Sequence, residues 1–207
     1  MVIKTAADAG AYLERHISES GLIQNPANYR KHSYDTGKIA RGRAVAIRVY
    51  NTEFNVGPEE IEAAGILHDL GKCFTEDFLH ETILTGEYLE REGMPRIARA
   101  VRTHFTIGET LEIERRDGTP YRDFNPEEFF PKTWNEILVA YGDLHSDGKR
   151  IMTFEERMED IFSRHGEKKV FVESMHMAMD RLRKIRDDVD ALASAANPEL
   201  MLKYGFI

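Results

Sequence analysis

Six residues able to bind a cation are spread along the chain: His32, the neighbours His68 and Asp69, then His80, His104 and Asp143. Neutral imidazoles and carboxylates are donors that Fe, Mn, Co, Ni and Zn accept. An ion held by such a set brings the pKa of a bound water near neutrality and polarises a phosphoryl oxygen. The chemistry expected is therefore hydrolysis by a metal-bound hydroxide. A second ion a few ångströms away would clamp both the attacking and the leaving oxygen of a phosphoryl group.

The pair His68-Asp69 sets a local condition. Neighbours on a regular helix differ in direction by about 100°, so both can face one ion only where the helix ends. Gly71 is expected to supply that ending. Asp69 would position the nucleophile or bridge two ions. Lys72, one turn past His68, is placed to meet a substrate phosphate or developing charge, although a solvated lysine near a helix C-terminus explains it equally well.

Each residue also has a plain explanation. A lone histidine in a helical protein is more often a surface or hydrogen-bonded core residue than a ligand, and His16, His165 and His176 are read that way. Asp143 alone would pass as a polar helix end. The six carry more weight together, because each falls where a helix meets a turn or another candidate ligand. Arg102, Arg115, Arg116 and Arg122 are candidate phosphate contacts, with ordinary surface charge as the plainer reading.

The elements that must position these residues are helices. Apolar residues recur at three- and four-residue spacing, and strand-like alternation hardly appears. A first helix is predicted over about 5–20, with Tyr12, Leu13 and Ile17 inward and Gly21 as its stop. Asn25-Pro26 opens a second, to about residue 50, and Pro58 suits the first turn of a third. A fourth spans 76–92 and ends at Gly93; a fifth starts at Pro95 and runs to His104. Turn signals at Asp117-Gly118-Thr119-Pro120 and Asn125-Pro126 predict irregular chain over 108–132, bordering the site's mouth. Trp134, Ile137, Leu138 and Tyr141 mark a sixth helix carrying Asp143, and Thr153 with Glu156 forms a capping box for a seventh. In the last helix Phe171, Met175, Ala178, Leu182, Ile185, Val189 and Leu192 make an a/d seam. Packing within the domain is the favoured use of that seam, and a homodimer is the other.

Composition narrows the class. The 207 residues suit one domain, 1–207, with 42% hydrophobic and 31% charged residues, as in soluble globular proteins. No apolar run is long enough to cross a membrane, and the first residues lack a signal core. The lone Cys73 excludes an internal disulfide framework and a thiolate-rich zinc site, so a cytoplasmic setting is expected. A formal charge of −8 speaks against general nucleic-acid binding, but not against a small phosphorylated substrate, because a bound cation reverses the local sign.

At this point the motifs resemble a known family. AAGILHDLGK is similar to the central motif of the HD-domain superfamily of metal-dependent phosphohydrolases, named for the His-Asp pair, and KHSYDTGKIA resembles its first motif. HETILTGEYL and VRTHF resemble the additional histidine motifs of the binuclear, HDIG-type branch, and ILVAYGDLH its closing aspartate motif. The likeness covers about 29–143, leaving 153–196 as accessory helices. It implies an all-α, HD-domain-like helical bundle, with His32, His68, Asp69 and Asp143 at one ion. It further implies His80 and His104 at a second ion, with Asp69 bridging. The substrate it implies is a phosphomonoester or phosphodiester, in particular a nucleotide.

One departure stands out. His32 and His68 are 36 residues apart, long for that branch, and Arg41 falls nearer the usual place. Arginine cannot ligate a cation, whereas two extra helical turns would leave His32 on the same helix face. His32 is therefore the expected ligand. Two other classes stay open: a non-catalytic metal- or nucleotide-binding module, favoured if His32 does not ligate, and a di-iron oxygenase on the same scaffold.

Overall fold

Local polar caps start several of the helices. Thr5 accepts from the Asp8 amide while the Asp8 carboxylate accepts from the Thr5 amide, and this reciprocal box opens α1 (Ala6–Glu19). Asn25 caps the Asn28 amide ahead of α2 (Pro26–Tyr50). Proline occupies the first turn of α3 (Pro58–Leu67) and of α5 (Pro95–Arg102), where its missing N–H costs nothing. Between them lies α4 (Phe78–Arg91). There follow α6 (Ile107–Arg116), α7 (Trp134–Asp143) behind the Thr133 cap, α8 (Phe154–His165) behind the Thr153–Glu156 box, and α9 (Lys169–Ala196). This computed structural model describes residues 3, 5–50, 57–76, 78–119 and 123–196, and the side chains among them other than those of 48–50, 78–81 and 195–196.

The protein is all-α. Among the described residues the extended structure amounts to one antiparallel bridge, Ser146–Ile151. None of the described helices is long and apolar enough to cross a membrane.

Three elements differ from expectation. The helix opening at Pro95 ends at Arg102, so His104 sits in the following turn rather than on the helix. The stretch expected to be irregular begins with α6. Its apolar face is short, Ile107, Leu111 and Ile113, and Glu109 is buried beside them, so periodicity was weak in the sequence. Gly71 does not end α3 by a left-handed backbone; the positive-φ glycines among the described residues are Gly93, Gly118 and Gly148. The chain instead tightens into a 3-10 turn, Leu70–Cys73, with the Lys72 amide donating to Asp69 O. Gly93 behaves as expected: at φ 81° it closes α4, and the Met94 amide reaches back to Leu89 O.

At the centre α2 packs on α3, α7 and α9. Its contacts with α3 and α7 are backbone on backbone. A Cβ on Gly65 would lie 2.6 Å from Gly37 Cα, and one on Gly142 would lie 2.5 Å from Thr36 O. Around this contact the main core gathers Ile39, Ile47, Ile61, Ile66, Leu138 and Tyr141. A second cluster joins Phe105, Leu144, Phe154, Met158 and Ile161 to Phe171, Met175, Ala178 and Leu182. The apolar seam of α9 serves both clusters, since Ile185 and Val189 belong to the first. That face is occupied within the chain.

Candidate metal centre

The close helix contacts deliver side chains to one point. His32 precedes Gly37 on α2, His68 follows Gly65 at the end of α3, and Asp143 follows Gly142 at the end of α7. His68 still has helical backbone, but Asp69 (φ −100°, ψ 12°) has left the helix, which turns its carboxylate into the space that His68 faces. Tyr29 Oη donates to Asp69 O at 2.9 Å and pins that turn to α2.

The donor atoms converge closely. His32 Nε2 is 3.1 Å from His68 Nε2, 3.2 Å from Asp143 Oδ1 and 3.5 Å from Asp69 Oδ2. His68 Nε2 lies 3.4 Å from Asp69 Oδ2 and 3.6 Å from Asp143 Oδ1, and His104 Nε2 lies 3.9 Å from Asp69 Oδ1. Two atoms that ligate one ion at about 2.0–2.2 Å stand roughly 3–4 Å apart. The spacing fits. The sets His32, His68, Asp69 and His68, His104, Asp143 each place one donor atom per residue within 4.8 Å of the others.

Ring orientation fits as well. His68 Nδ1 bonds Gly65 O at 2.7 Å and His104 Nδ1 bonds Val101 O at 2.5 Å. A carbonyl only accepts, so both Nδ1 atoms carry a proton and each ring directs its Nε2 inward, the usual orientation of a metal-ligating histidine, which would shed any Nε2 proton on binding an ion. His32 Nδ1 is buried without a hydrogen-bond partner; its ring is aimed by α2 alone.

Charge is concentrated and buried here. Burial would raise the Asp69 carboxyl, but the charges of His68 and Lys72 and hydrogen bonds from both histidines hold it well below the usual range. Burial opposes ionisation of Asp143 too, and hydrogen bonds from His32 and His68 overcome it. His68 is pushed up to about 10, because Asp69 and Asp143 outweigh the cost of its burial. Burial, and then the charge of His68, lower His104. Such a cluster favours positive charge at its centre, the property a cation site requires.

His32, Asp69, His104 and Asp143 line a cleft of about 630 Å³, as does Lys72, while His68 is buried beside them. Lys72 Nζ touches Asp69 Oδ2. His80 belongs to α4, but its side chain lies outside the described part. Arg41 is elsewhere, paired with Glu62 at 3.1 Å and Glu59 at 3.7 Å.

Of the arginines noted around the fifth helix and the turn-rich stretch, Arg102, Arg115 and Arg116 do not line the cleft. Arg102 pairs with Glu90, Arg116 with Glu173 and Arg115 with Asp123, while Arg122 lies outside the described residues. The described residues of the stretch 108–132 do not line the cleft. Besides Lys72, the cleft's cations come from α8 and the turn after it. Arg157, 7% exposed, donates to Asp143 O and places Nη2 3.5 Å from Asp143 Oδ1; Arg164, His165 and Lys168 follow. Sequence reading missed these residues. The signal was available as cations at i, i+7 and i+11, with Ile161 on the same face. Of the histidines set aside, His16 is a core residue bonded to Tyr12 O and Tyr88 Oη, and His176 is exposed against Phe162.

The family model described as HD domain matches residues 29–195, most of the chain and all of the described donor cluster. The chain belongs to the HD-domain family. Curated proteins that match this chain include the following two. One is a tRNA (cytidine(56)-2'-O)-methyltransferase of Picrophilus torridus, 27% identical over 133 residues, or 64% of this chain and 35% of the relative. The chain thus spans about a third of that protein. The other is an uncharacterized protein of Methanocaldococcus jannaschii, 24% identical over 166 residues, or 80% of this chain and 89% of the relative. No solved structure matches. HD domains are associated with divalent metals and hydrolytic chemistry, and the His/Asp groups here could hold such an ion.

Proposed function

We propose that this HD domain is a metal-dependent phosphohydrolase acting on a phosphomonoester or phosphodiester, with a nucleotide as the substrate class. His32, His68, Asp69, His104 and Asp143 would hold a divalent transition metal, and His80 would join His104 and Asp69 at a second ion. The observation that carries this reading is the convergence of three imidazole Nε2 atoms and two carboxylates beside one cleft, with two rings turned by Nδ1–carbonyl hydrogen bonds so that Nε2 faces the carboxylates.

When bound, the ion supplies Lewis acidity toward a phosphoryl oxygen and lowers the pKa of its water. The chain's own groups do the rest. Asp69 and Asp143, held ionised, can accept a hydrogen bond from an attacking water and orient it. Lys72, beside Asp69 and open to the cleft, can meet a phosphate oxygen. Arg157 braces Asp143 through its carbonyl and carboxylate. The match covers a third of the methyltransferase, so neither its methyl transfer nor its tRNA substrate is carried over.

The test pairs elemental analysis of protein purified without chelator with a screen of phosphorylated nucleotides in Mn, Fe, Co, Ni and Zn. One or two ions per chain are expected, with turnover on at least one nucleotide. His32→Ala should lower metal affinity by about tenfold or more, since a direct bond is lost, and Arg41→Ala should leave metal content intact. Replacing His80 and His104 together should leave one ion. A protein that carries no metal and binds none on titration overturns the reading.

A further inference from the structure

Both carboxylates of the donor cluster already hold a cation. Lys72 Nζ touches Asp69 Oδ2. Arg157 Nη2 lies 3.5 Å from Asp143 Oδ1, the oxygen that is also 3.2 Å from His32 Nε2. The two cations differ in freedom. The Lys72 side chain is 40% exposed and can swing into water. That of Arg157 is 8% exposed and is tied down, with Nε donating to Asp143 O at 3.4 Å and Nη1 to Asp160 Oδ2 at 3.0 Å. Asp160 is itself shared, because Arg164 Nη2 reaches the same oxygen at 2.6 Å. Among the described residues, the acidic partners of Arg157 are thus one divided carboxylate and the one an ion would take.

Resting on the phosphohydrolase reading, we infer that Arg157 makes ion binding and phosphate binding depend on each other at this site. Sharing Asp143 Oδ1 with a divalent ion takes from Arg157 the charge it now faces, and the two cations repel across a short, buried and weakly screened gap. Burial denies Arg157 the escape open to Lys72, and an unpaired buried charge is costly. Its charge is left for an anion in the cleft that it lines. A guanidinium has donors to spare beyond those directed at Asp143 and Asp160, and a phosphate accepts them well. Arg157 therefore weakens ion binding before phosphate arrives and strengthens it afterwards. The two ligands tighten each other by one and the same factor, as linkage requires. Arg157 lies on α8, outside the motif-bearing stretch 29–143, so the accessory helices supply this coupling.

The test is calorimetric titration of the full chain with Mn²⁺, with and without inorganic phosphate, and with phosphate, with and without Mn²⁺. In wild type each should tighten the other about thirtyfold. Arg157→Gln keeps a hydrogen-bond donor but not the charge. Without phosphate it should bind Mn²⁺ about threefold tighter, and its coupling factor should fall at least about fivefold. Asp160→Asn, at a part-buried position on α8, should move the other way, with weaker Mn²⁺ binding and a coupling factor about threefold larger. A plain structural brace predicts weaker Mn²⁺ binding in Arg157→Gln with coupling unchanged; that result overturns the inference, as does coupling lost only in Lys72→Ala. The expected coupling without hydrolysis of any phosphate ester leaves the inference standing and sinks the phosphohydrolase reading. Hydrolysis with coupling unchanged in both α8 variants does the reverse.

Discussion

Two halves of the donor cluster are held by different physics. His32, His68 and Asp143 ride on α2, α3 and α7, whose backbones meet at Gly37, Gly65 and Gly142 with no side chains between them. His104 stands on a turn. There Phe105 has φ 64°, a left-handed conformation uncommon outside glycine. The turn is held from α9: Arg181 donates to Phe105 O at 2.7 Å and forms an ion pair with the buried Glu109 at 2.7–2.9 Å. One half is fixed by close packing, which has no adjustable part. The other is fixed by charge and hydrogen bonds across 72 residues of sequence. Position through packing is robust to salt and pH; position through a polar latch depends on every member staying paired.

The largest expected effect comes from wedging the packed half apart. In Gly65→Ala the new Cβ meets the Gly37 backbone, which cannot rotate away. Loss at or above the upper end of about 1–3 kcal/mol is expected, together with loss of metal binding, because His68 and His32 separate. Gly21→Ala, where nothing lies within 4 Å, is the control and should be near neutral. Urea melts and metal titration of both variants measure this. An undisturbed Gly65→Ala would end the packing account.

Unlatching the polar half should cost less and act more selectively. Arg181→Ala strands Glu109, whose carboxyl burial already pushes up, and leaves Phe105 O without that donor. A loss of about 2 kcal/mol is expected. Metal affinity should fall by about tenfold, as when support behind a ligand is removed, and high salt should weaken wild type at this latch more than at the glycine contact. If Arg181→Ala loses stability but keeps full metal affinity, the latch does not position His104.

The smallest effect belongs to the cleft wall. His165 titrates at about 4 when folded against an ordinary 6.5, so the unfolded chain takes up its proton first as pH falls. Its contribution is complete above 6.5 and lost progressively between 6.5 and 4. Urea midpoints of wild type and His165→Gln should therefore diverge from their high-pH difference across that window. Parallel curves would show that the ring does not carry this shift.

The sequence made the packed half readable and hid the polar one. The Thr153–Glu156 cap, the prolines at 58 and 95, and the order of histidine and aspartate motifs act locally, so helix order was legible and the residues that converge could be singled out. His104 was identified as a donor but given to a helix, because nothing nearby announces the left-handed Phe105. Helix α6 was missed because Glu109 occupies a buried position that only Arg181, far along the chain, makes tolerable. The cations of α8 were passed over because a charged stripe looks solvated until Asp143 is seen opposite Arg157. Side-chain partners remote in sequence, rather than weak periodicity, account for most of what stayed hidden.

The glycine contact also sets how the donor spacing answers hydrostatic pressure. Compression works by removing internal void volume, and backbones already touching at Gly37, Gly65 and Gly142 enclose little of it. The cleft beside the donor cluster is open to solvent and so is not a void that compression removes. Squeezing the molecule is therefore expected to leave the spacing of the three helix-borne ligands nearly unchanged.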